Sequence, residues 1–398
     1  MDCLRASGVI LPASLATIPD LTASFRSAFG RDPDVRARAP GRVEFIGNHT
    51  DYNGGAVLGA AIDRSVWVAA AANAAGCFRL VSTNQDRRLD LTADPAGRLT
   101  GADAWANYPL GIWRSLADFQ LPRPPGFDLL VAADLPAGAG LSSSAALELA
   151  AALALLHLVS ATIAPARLAA LGRHAENHHV GVPCGILDQG TSAFGRAGQL
   201  VHIDCRGPVF THVPLPASAH LWIFNTREKH ALIDGLYAER HRECVAAAAA
   251  LGVPLLADMS AAQFHAAAGR LPAVLARRAR HVVEENARVA ATVTALERGD
   301  VAEVGRLLTA SHRSSQTLFE NSTPALDRLV DLLTGHPAVY GARLTGGGFG
   351  GAVMALTRAT FAEDAARAAI APYAAAHGGP PEILHLRSAA GAQVLGRG

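Results

Sequence analysis

The run from Pro136 to Ile163, PAGAGLSSSAALELAAALALLHLVSATI, constrains the fold more than any other part of the chain. It opens as a turn rich in Gly and Ser and continues as an Ala/Leu stretch. A helix apolar on all sides must be enclosed by other elements or by lipid. Glu148, His157 and Ser160 interrupt the stretch from Ala145 to Ile163, and a membrane span needs roughly 18 or more nearly uninterrupted apolar residues. The spacing therefore predicts a buried helix starting near Ser143, packed inside a substantial core.

The turn ahead of that helix carries its own chemistry. Glycines at 138 and 140 let the backbone approach a ligand that a Cβ would block, and the helix behind them offers unpaired N–H groups and a positive dipole end. Such a turn suits phosphate. Ser142, Ser143 and Ser144 can donate to phosphate oxygens, ligate Mg²⁺ or cap the helix, so a plain Ser-capped turn is the competing reading. The segment is neither a G-x-x-x-x-G-K-[ST] loop nor a G-x-G-x-x-G dinucleotide turn.

Around this segment, Val35 to Asp63 reads as two short strands about a turn of Gly, Asn and Asp. Further strands are predicted at Cys77–Ser82 and Phe127–Ala132. Beyond Asp204 the pattern changes to a strand at Leu221–Asn225 and long helices at Tyr237–Leu251, Ala276–Gly299 and Thr323–Leu333. A Gly-rich turn at Gly346–Gly351, a strand at Ala352–Leu356 and a last strand near Ile383–Leu386 close the chain. A length of 398 residues favours two lobes, expected as residues 1–207 and 208–398.

With 17% charged residues and a formal net charge of +1, the chain has no large field to hold nucleic acid or an anionic membrane. Cys3, Cys77, Cys184, Cys205 and Cys244 are scattered, with no C-x-x-C pair. Reduced thiols and a cytoplasmic location are expected, and the N-terminal stretch is poor material for a secretory signal. His174, His178, His179 and Glu176 lie close in sequence but lack the H-E-x-x-H pattern.

Four segments carry a family resemblance. Pro136–Leu147 is similar to the second motif of the GHMP kinase superfamily. Ala39–Asp63, APGRVEFIGNHTDYNGGAVLGAAID, resembles the galactokinase signature, and Arg343–Gly351, RLTGGGFGG, resembles the third motif. Pro183–Gln189, PCGILDQ, also looks like galactokinases. Weaker echoes occur at WANY (105–108), IDCR (203–206), residues 237–244 and SHRSSQTLFENSTP (311–324). The resemblance covers roughly residues 35 to 356 and implies a two-lobed α+β fold. Its N-terminal lobe has a mixed sheet with helices, its C-terminal lobe is ferredoxin-like, and the active site lies in the cleft between them.

It also implies roles. Asp188 matches the family's catalytic aspartate and Arg42 the arginine beside the same sugar hydroxyl. By residue type alone, an Asp in a Gly/Pro-rich turn also reads as a local backbone partner. A carboxylate is a weak base toward an alcohol, so Asp188 could remove the proton or mainly position the hydroxyl. Glu176 and Ser144, with Ser143 the next choice, match the Mg²⁺ ligands. Gly138, Gly140, Leu141, Ser142, Ser143, Ser144, Ala145, Gly347 and Gly348 are expected around ATP, with Trp105 beside the adenine and Ser82 and Thr83 nearby.

The sugar site is expected from Arg42, Glu44, Asn48, His49, Asp51, Gly185, Asp188 and Tyr237. Relatives read GRVNLIGEHTDY where this chain has GRVEFIGNHTDY, so Glu44 and Asn48 look exchanged. The usual glutamate contacts the sugar's 6-hydroxyl. Replacing it by Asn48 leaves galacturonate or L-arabinose as alternatives to galactose, unless Glu44 supplies the lost contact. The implied activity is ATP-dependent phosphorylation of the anomeric hydroxyl of a monosaccharide, galactose first. A galactose sensor and a mevalonate or homoserine kinase are the competing classes. Expected partners are a sugar and ATP, with no nucleic acid, no membrane and a monomer as default.

Overall fold

The computed structural model describes residues 20–136, 139–229 and 233–396. The first lobe is built from α1 (Leu21–Phe29), β1 (Val35–Ile46), β2 (Ala56–Ala72), β3 (Phe78–Ser82), β4 (Arg87–Leu91), α2 (Asn107–Asp118), β5 (Phe127–Ala133), α3 (Ser143–Leu158), α4 (Pro165–His174), α5 (Leu187–Phe194), β6 (Gln199–Asp204) and β7 (Val209–Pro214). Its sheet runs β1–β2–β5–β3–β4, with β6 paired to β2 and β7 to β6. β3 and β5 are parallel and the other pairs antiparallel, which makes the sheet mixed.

α3 packs across β1 and β2, with Ala145 to Ala152 and Ala154 to Leu156 all buried. That enclosure is why its sequence has no polar face. The expected hairpin is present, although β2 continues ten residues past Ile62, to Ala72. Asp63 and Arg64 emerge at its surface before the second apolar run.

The second lobe contains β8 (Ala219–Lys229), α6 (Ile233–Leu251), α7 (Ala261–Ala267), α8 (Ala273–Glu297), α9 (Val301–Ser314), α10 (Pro324–Thr334), β9 (Val339–Thr345), β10 (Gly350–Arg358), α11 (Glu363–Ala369), α12 (Ala371–Ala376) and β11 (Glu382–Leu386). Its sheet is antiparallel in the order β11–β8–β10–β9. A final strand, β12 (Gln393–Gly396), returns to the first sheet and pairs with β1. Gly207 falls in the β6–β7 turn, inside the first sheet, and the second sheet starts at Ala219.

One apolar core runs through both lobes. It joins Phe45, Leu129 and Leu149 to Ile223, Val289, Leu308 and Met354. The cleft is therefore walled by elements that share packing, which fixes the relative positions of side chains contributed from either side.

Candidate active site

β1 delivers the first functional side chains. Its pairing with β2 is irregular between Pro40 and Arg42 and again between Glu44 and Ile46, and such bulges re-aim side chains. Gly41 is needed because a Cβ there would sit 2.6 Å from the Leu141 carbonyl oxygen. The Arg42 backbone N–H donates to that same oxygen at 3.0 Å. β1 and the turn before α3 are thus in direct backbone contact.

Arg42 is buried and donates through Nε to Asp188 Oδ1 at 2.7 Å and through a terminal nitrogen to the Gly140 carbonyl at 2.6 Å. Asp188 lies in the first turn of α5. Its other oxygen accepts from Ser142 Oγ at 2.5 Å. The resemblance places Arg42 and Asp188 beside one sugar hydroxyl and Ser142 around ATP, and the structure joins all three in one network.

Ser142 has a left-handed backbone, φ 57°, and stands at the N-cap of α3 without capping it. Its hydroxyl is committed to Asp188, so the plain Ser-capped turn is absent. The first amides of α3 keep their capacity for an anion. Gly140 is also left-handed and lies against the Thr345 carbonyl, while Gly346 in turn abuts Gly140. Leu141 and Ala145 are buried, Ser143 is exposed, and Gly138 lies outside the described residues.

The Ser144 hydroxyl donates to Glu176, so the two expected Mg²⁺ ligands are adjacent. Glu176 also accepts from Gln189 Nε2 at 2.6 Å and lies 3.2 Å from the Cys184 thiol. Burial, and then the Asp188 charge, push its carboxyl above the usual range. Gln189 bridges it to Glu148 at 2.9 Å. Glu148 is fully buried, and burial, with added repulsion from Glu176, pushes its carboxyl well above the usual range. Glu148 and Gln189 were not singled out from sequence, although Gln189 follows Asp188 directly and Glu148 is the one acid in an apolar helix. An all-oxygen pair of carboxylate and hydroxyl is the donor set Mg²⁺ takes beside phosphate and water.

A cavity of about 290 Å³ adjoins this network, lined by Arg42, Glu44, Asn48, His49, Asp51 and Asp188 and closed by Gly185, Tyr237 and Gly347. Asp51 packs where a Cβ of Gly185 would have to be, so any larger residue there must displace the Asp51 carboxyl. Burial, with added repulsion from Glu44 and Asp188, lifts the Asp51 carboxyl to about 7. His49 has φ 59°, and its Nε2 lies 3.0 Å from the Gly347 carbonyl, which can only accept. Nδ1 must then accept from the Tyr52 hydroxyl at 2.9 Å. Burial lowers the imidazole to about 3, so it is neutral.

Glu44 and Asn48 share one end of the pocket. Asn48 is fully buried and uses its whole amide. Nδ2 donates to Glu44 Oε1 and to the Gly346 carbonyl, each at 2.9 Å, and Oδ1 accepts from Asn321 at 2.7 Å and Ser315 at 3.3 Å. Two donors and two lone pairs are all it has. Glu44 Oε1 also receives Arg343 at 2.9 Å, and Glu44 lines the cavity. Burial raises the Glu44 carboxyl, against the pull of Arg343 and Arg42.

Residues from the second lobe hold this corner. Glu285 on α8 accepts from the backbone N–H groups of Gly47 and Asn48 and from Ser311. Burial opposes its charge, but Arg288, His281 and Arg343 outweigh that and hold it at about 2. Gly348 has its missing Cβ directed at Asn321, and Gly347 faces the Tyr237 ring and lines the cavity. Trp105 is buried in the first core, away from that pocket, with its indole N–H unpartnered. Ser82 is buried at the end of β3, and the Thr83 hydroxyl donates to the Val131 carbonyl.

Three family models match the chain: the galactokinase galactose-binding signature at residues 23–72, the GHMP kinases N-terminal domain at 107–196 and the GHMP kinases C-terminal domain at 292–375. Galactokinase from Roseiflexus sp. (strain RS-1) is 41% identical over 360 residues, covering 88% of this chain and 91% of the relative. The chain belongs to the galactokinase family. Among solved structures, Lactococcus lactis galactokinase complexed with galactose matches this galactokinase-family chain with a TM-score of 0.88 at 31% identity, over 94% of this chain and 98% of that one. Methanococcus jannaschii mevalonate kinase, at 19% identity and a TM-score of 0.63 over 89% and 98%, shares the GHMP fold.

Proposed function

We propose that the protein transfers the γ-phosphoryl group of ATP to the anomeric hydroxyl of D-galactose, giving α-D-galactose 1-phosphate and ADP by direct in-line transfer. The observation that carries this is the Arg42–Asp188 pair at 2.7 Å, which joins the phosphate turn to the sugar-sized pocket. Arg42 reaches the Gly140 carbonyl in the phosphate turn, and Asp188 forms a wall of the sugar-sized pocket.

In this reading the amides opening α3 receive the phosphates, Asp188 accepts the hydrogen bond of the attacking hydroxyl, and Arg42 favours the oxygen as it gains negative charge. Ser142 fixes the Asp188 carboxylate. Ser144 and Glu176 would hold Mg²⁺, which when bound neutralises charge between the phosphates. No nucleophile on the protein is required, so no phosphoenzyme forms.

Galactose is favoured over galacturonate because the pocket end that holds Asn48 carries the Glu44 carboxyl, and a sugar carboxylate placed there would meet like charge. The network Arg42, Ser142, Asp188 favours a kinase over a sensor. We place the enzyme in the cytoplasm as a monomer. No helix among the described residues is long and apolar enough to cross a membrane.

A coupled ADP-release assay with galactose, galacturonate, L-arabinose, mevalonate and homoserine tests the reading. Turnover dependent on galactose is expected. Turnover confined to another acceptor, or none with any sugar, would refute it.

A further inference from the structure

His174, His178 and His179 have no part in the phosphoryl-transfer network, yet the fold gathers two of them around an acid from a different helix. α4 ends at His174, and the next six residues, Ala175–Val180, form a π-helical turn. Backbone bonds in such a turn span five residues, so side chains five apart share a face. In an α-helix His174 and His179 would point about 140° apart. Here both rings present Nε2 to the same Asp118 oxygen, at 3.0 Å and 2.9 Å. Asp118 is the last residue of α2. His178, the i+4 partner of His174 in sequence, lies tilted against the His174 ring instead of joining the trio.

We propose that His174, His179 and Asp118 form a binding site for a borderline divalent transition-metal ion of the zinc, cobalt or nickel class, separate from the Mg²⁺ position at Ser144 and Glu176. The three ligand atoms lie within 4.8 Å of one another. Ligand atoms around an ion with bonds of about 2.0–2.1 Å stand roughly 3.0–3.4 Å apart, close to the two histidine–carboxylate spacings of 3.0 Å and 2.9 Å. Two imidazoles and one carboxylate suit zinc-like ions and disfavour Mg²⁺ and Ca²⁺, which prefer oxygen. Each ring would ligate through a neutral Nε2 with its proton on Nδ1.

The side chains are 45%, 28% and 22% exposed for Asp118, His174 and His179. Solvent therefore reaches the trio, and water would complete the coordination, giving an exchangeable site instead of a closed structural one. The same π-helical turn carries Glu176, whose side chain faces the catalytic pocket. An ion on the outer face would pin the turn to α2 and hold the position of Glu176.

The test uses chelator-stripped full-length protein with Mg²⁺ present, titrated with Co²⁺ and followed by its visible d–d absorption, then with Zn²⁺ by calorimetry. One equivalent of Co²⁺ is expected to give an intense low-coordinate band. His174→Ala, His179→Ala and Asp118→Asn should each weaken affinity by about tenfold or more. Zn²⁺ should raise the melting temperature of the wild type and not of His174→Ala, since only an ion bound to the folded state stabilises it. Glu176→Gln should retain the band. Absence of the band in the wild type, wild-type affinity in the three variants, or loss of the band in Glu176→Gln alone would each overturn the proposal.

Discussion

Ser142 Oγ donates to Asp188 Oδ2 at 2.5 Å, which links the residue at the N-cap of α3 directly to the carboxylate facing the sugar pocket. A hydroxyl that would ordinarily cap α3 instead fixes the orientation of Asp188. Ser142→Ala should lower kcat roughly ten- to a hundredfold, the worth of a hydrogen bond to a charged group, with a smaller change in KM for galactose. Ser142→Gly tolerates the left-handed backbone but also lacks the hydroxyl, so it should be equally slow. A fast Ser142→Gly enzyme would show that the backbone, and not the hydroxyl, matters.

Gly185 is required by the place of Asp51. Gly185→Ala would force the Asp51 carboxyl out of its position. Galactose KM should rise about tenfold or more, as when a pocket group moves by an ångström, while ATP binding by calorimetry stays within about threefold of wild type. An unchanged galactose KM would remove Asp51 from the sugar site.

Asp51 also sets a pH dependence. Its carboxyl is raised to about 7, so it is protonated below that pH and a full acceptor above it. Galactose affinity should therefore increase as pH rises through about 7 and weaken by up to tenfold per unit below it. Calorimetry across this range checks the sign. Asp51→Asn should flatten the profile, and a wild-type profile that is flat or rises toward acid would contradict the role.

The exchanged pair Glu44 and Asn48 shows what the sequence could and could not reveal. The motif carried the exchange, but not its consequence, because the amide's partners come from Gly346, Ser315 and Asn321, about 270 to 300 residues away. Glu44→Gln should reduce kcat/KM for galactose about tenfold and narrow the preference over galacturonate, by removing a charged acceptor. The double exchange Glu44→Asn with Asn48→Glu should recover galactose use relative to either single variant. No recovery would mean that the carboxylate cannot be moved between these positions.

Other features were legible for physical reasons. α3 could be read because an all-apolar helix has one soluble solution, and the phosphate turn because glycines directly before a helix N-terminus let a ligand approach its free amides. The extent of β2 past Asp63 was hidden, since a charged pair at a surface crossing looks like a strand end. The return of β12 to β1 was hidden too, because its four residues are all exposed and carry no burial pattern. Asp118 could not be connected to His174 and His179 before the π-helical turn was known.

Arg343 is fully buried and donates to Glu44 Oε1, to the carbonyls of Glu44 and Phe45 and to Ser311. Arg343→Met leaves Glu44 without its cation in a buried site. A stability loss of about 3–5 kcal/mol in urea unfolding is expected. A loss below about 1 kcal/mol would show that the corner does not depend on this ion pair.

The measurement that bears most directly on the account is galactose-dependent ADP release by the wild type and Asp188→Ala, with binding of both substrates followed in parallel. The wild type should turn over, and the variant should lose about two orders of magnitude or more in kcat while still binding ATP. A variant that keeps a near-normal rate would contradict the assignment of Asp188 as the residue that meets the attacking hydroxyl.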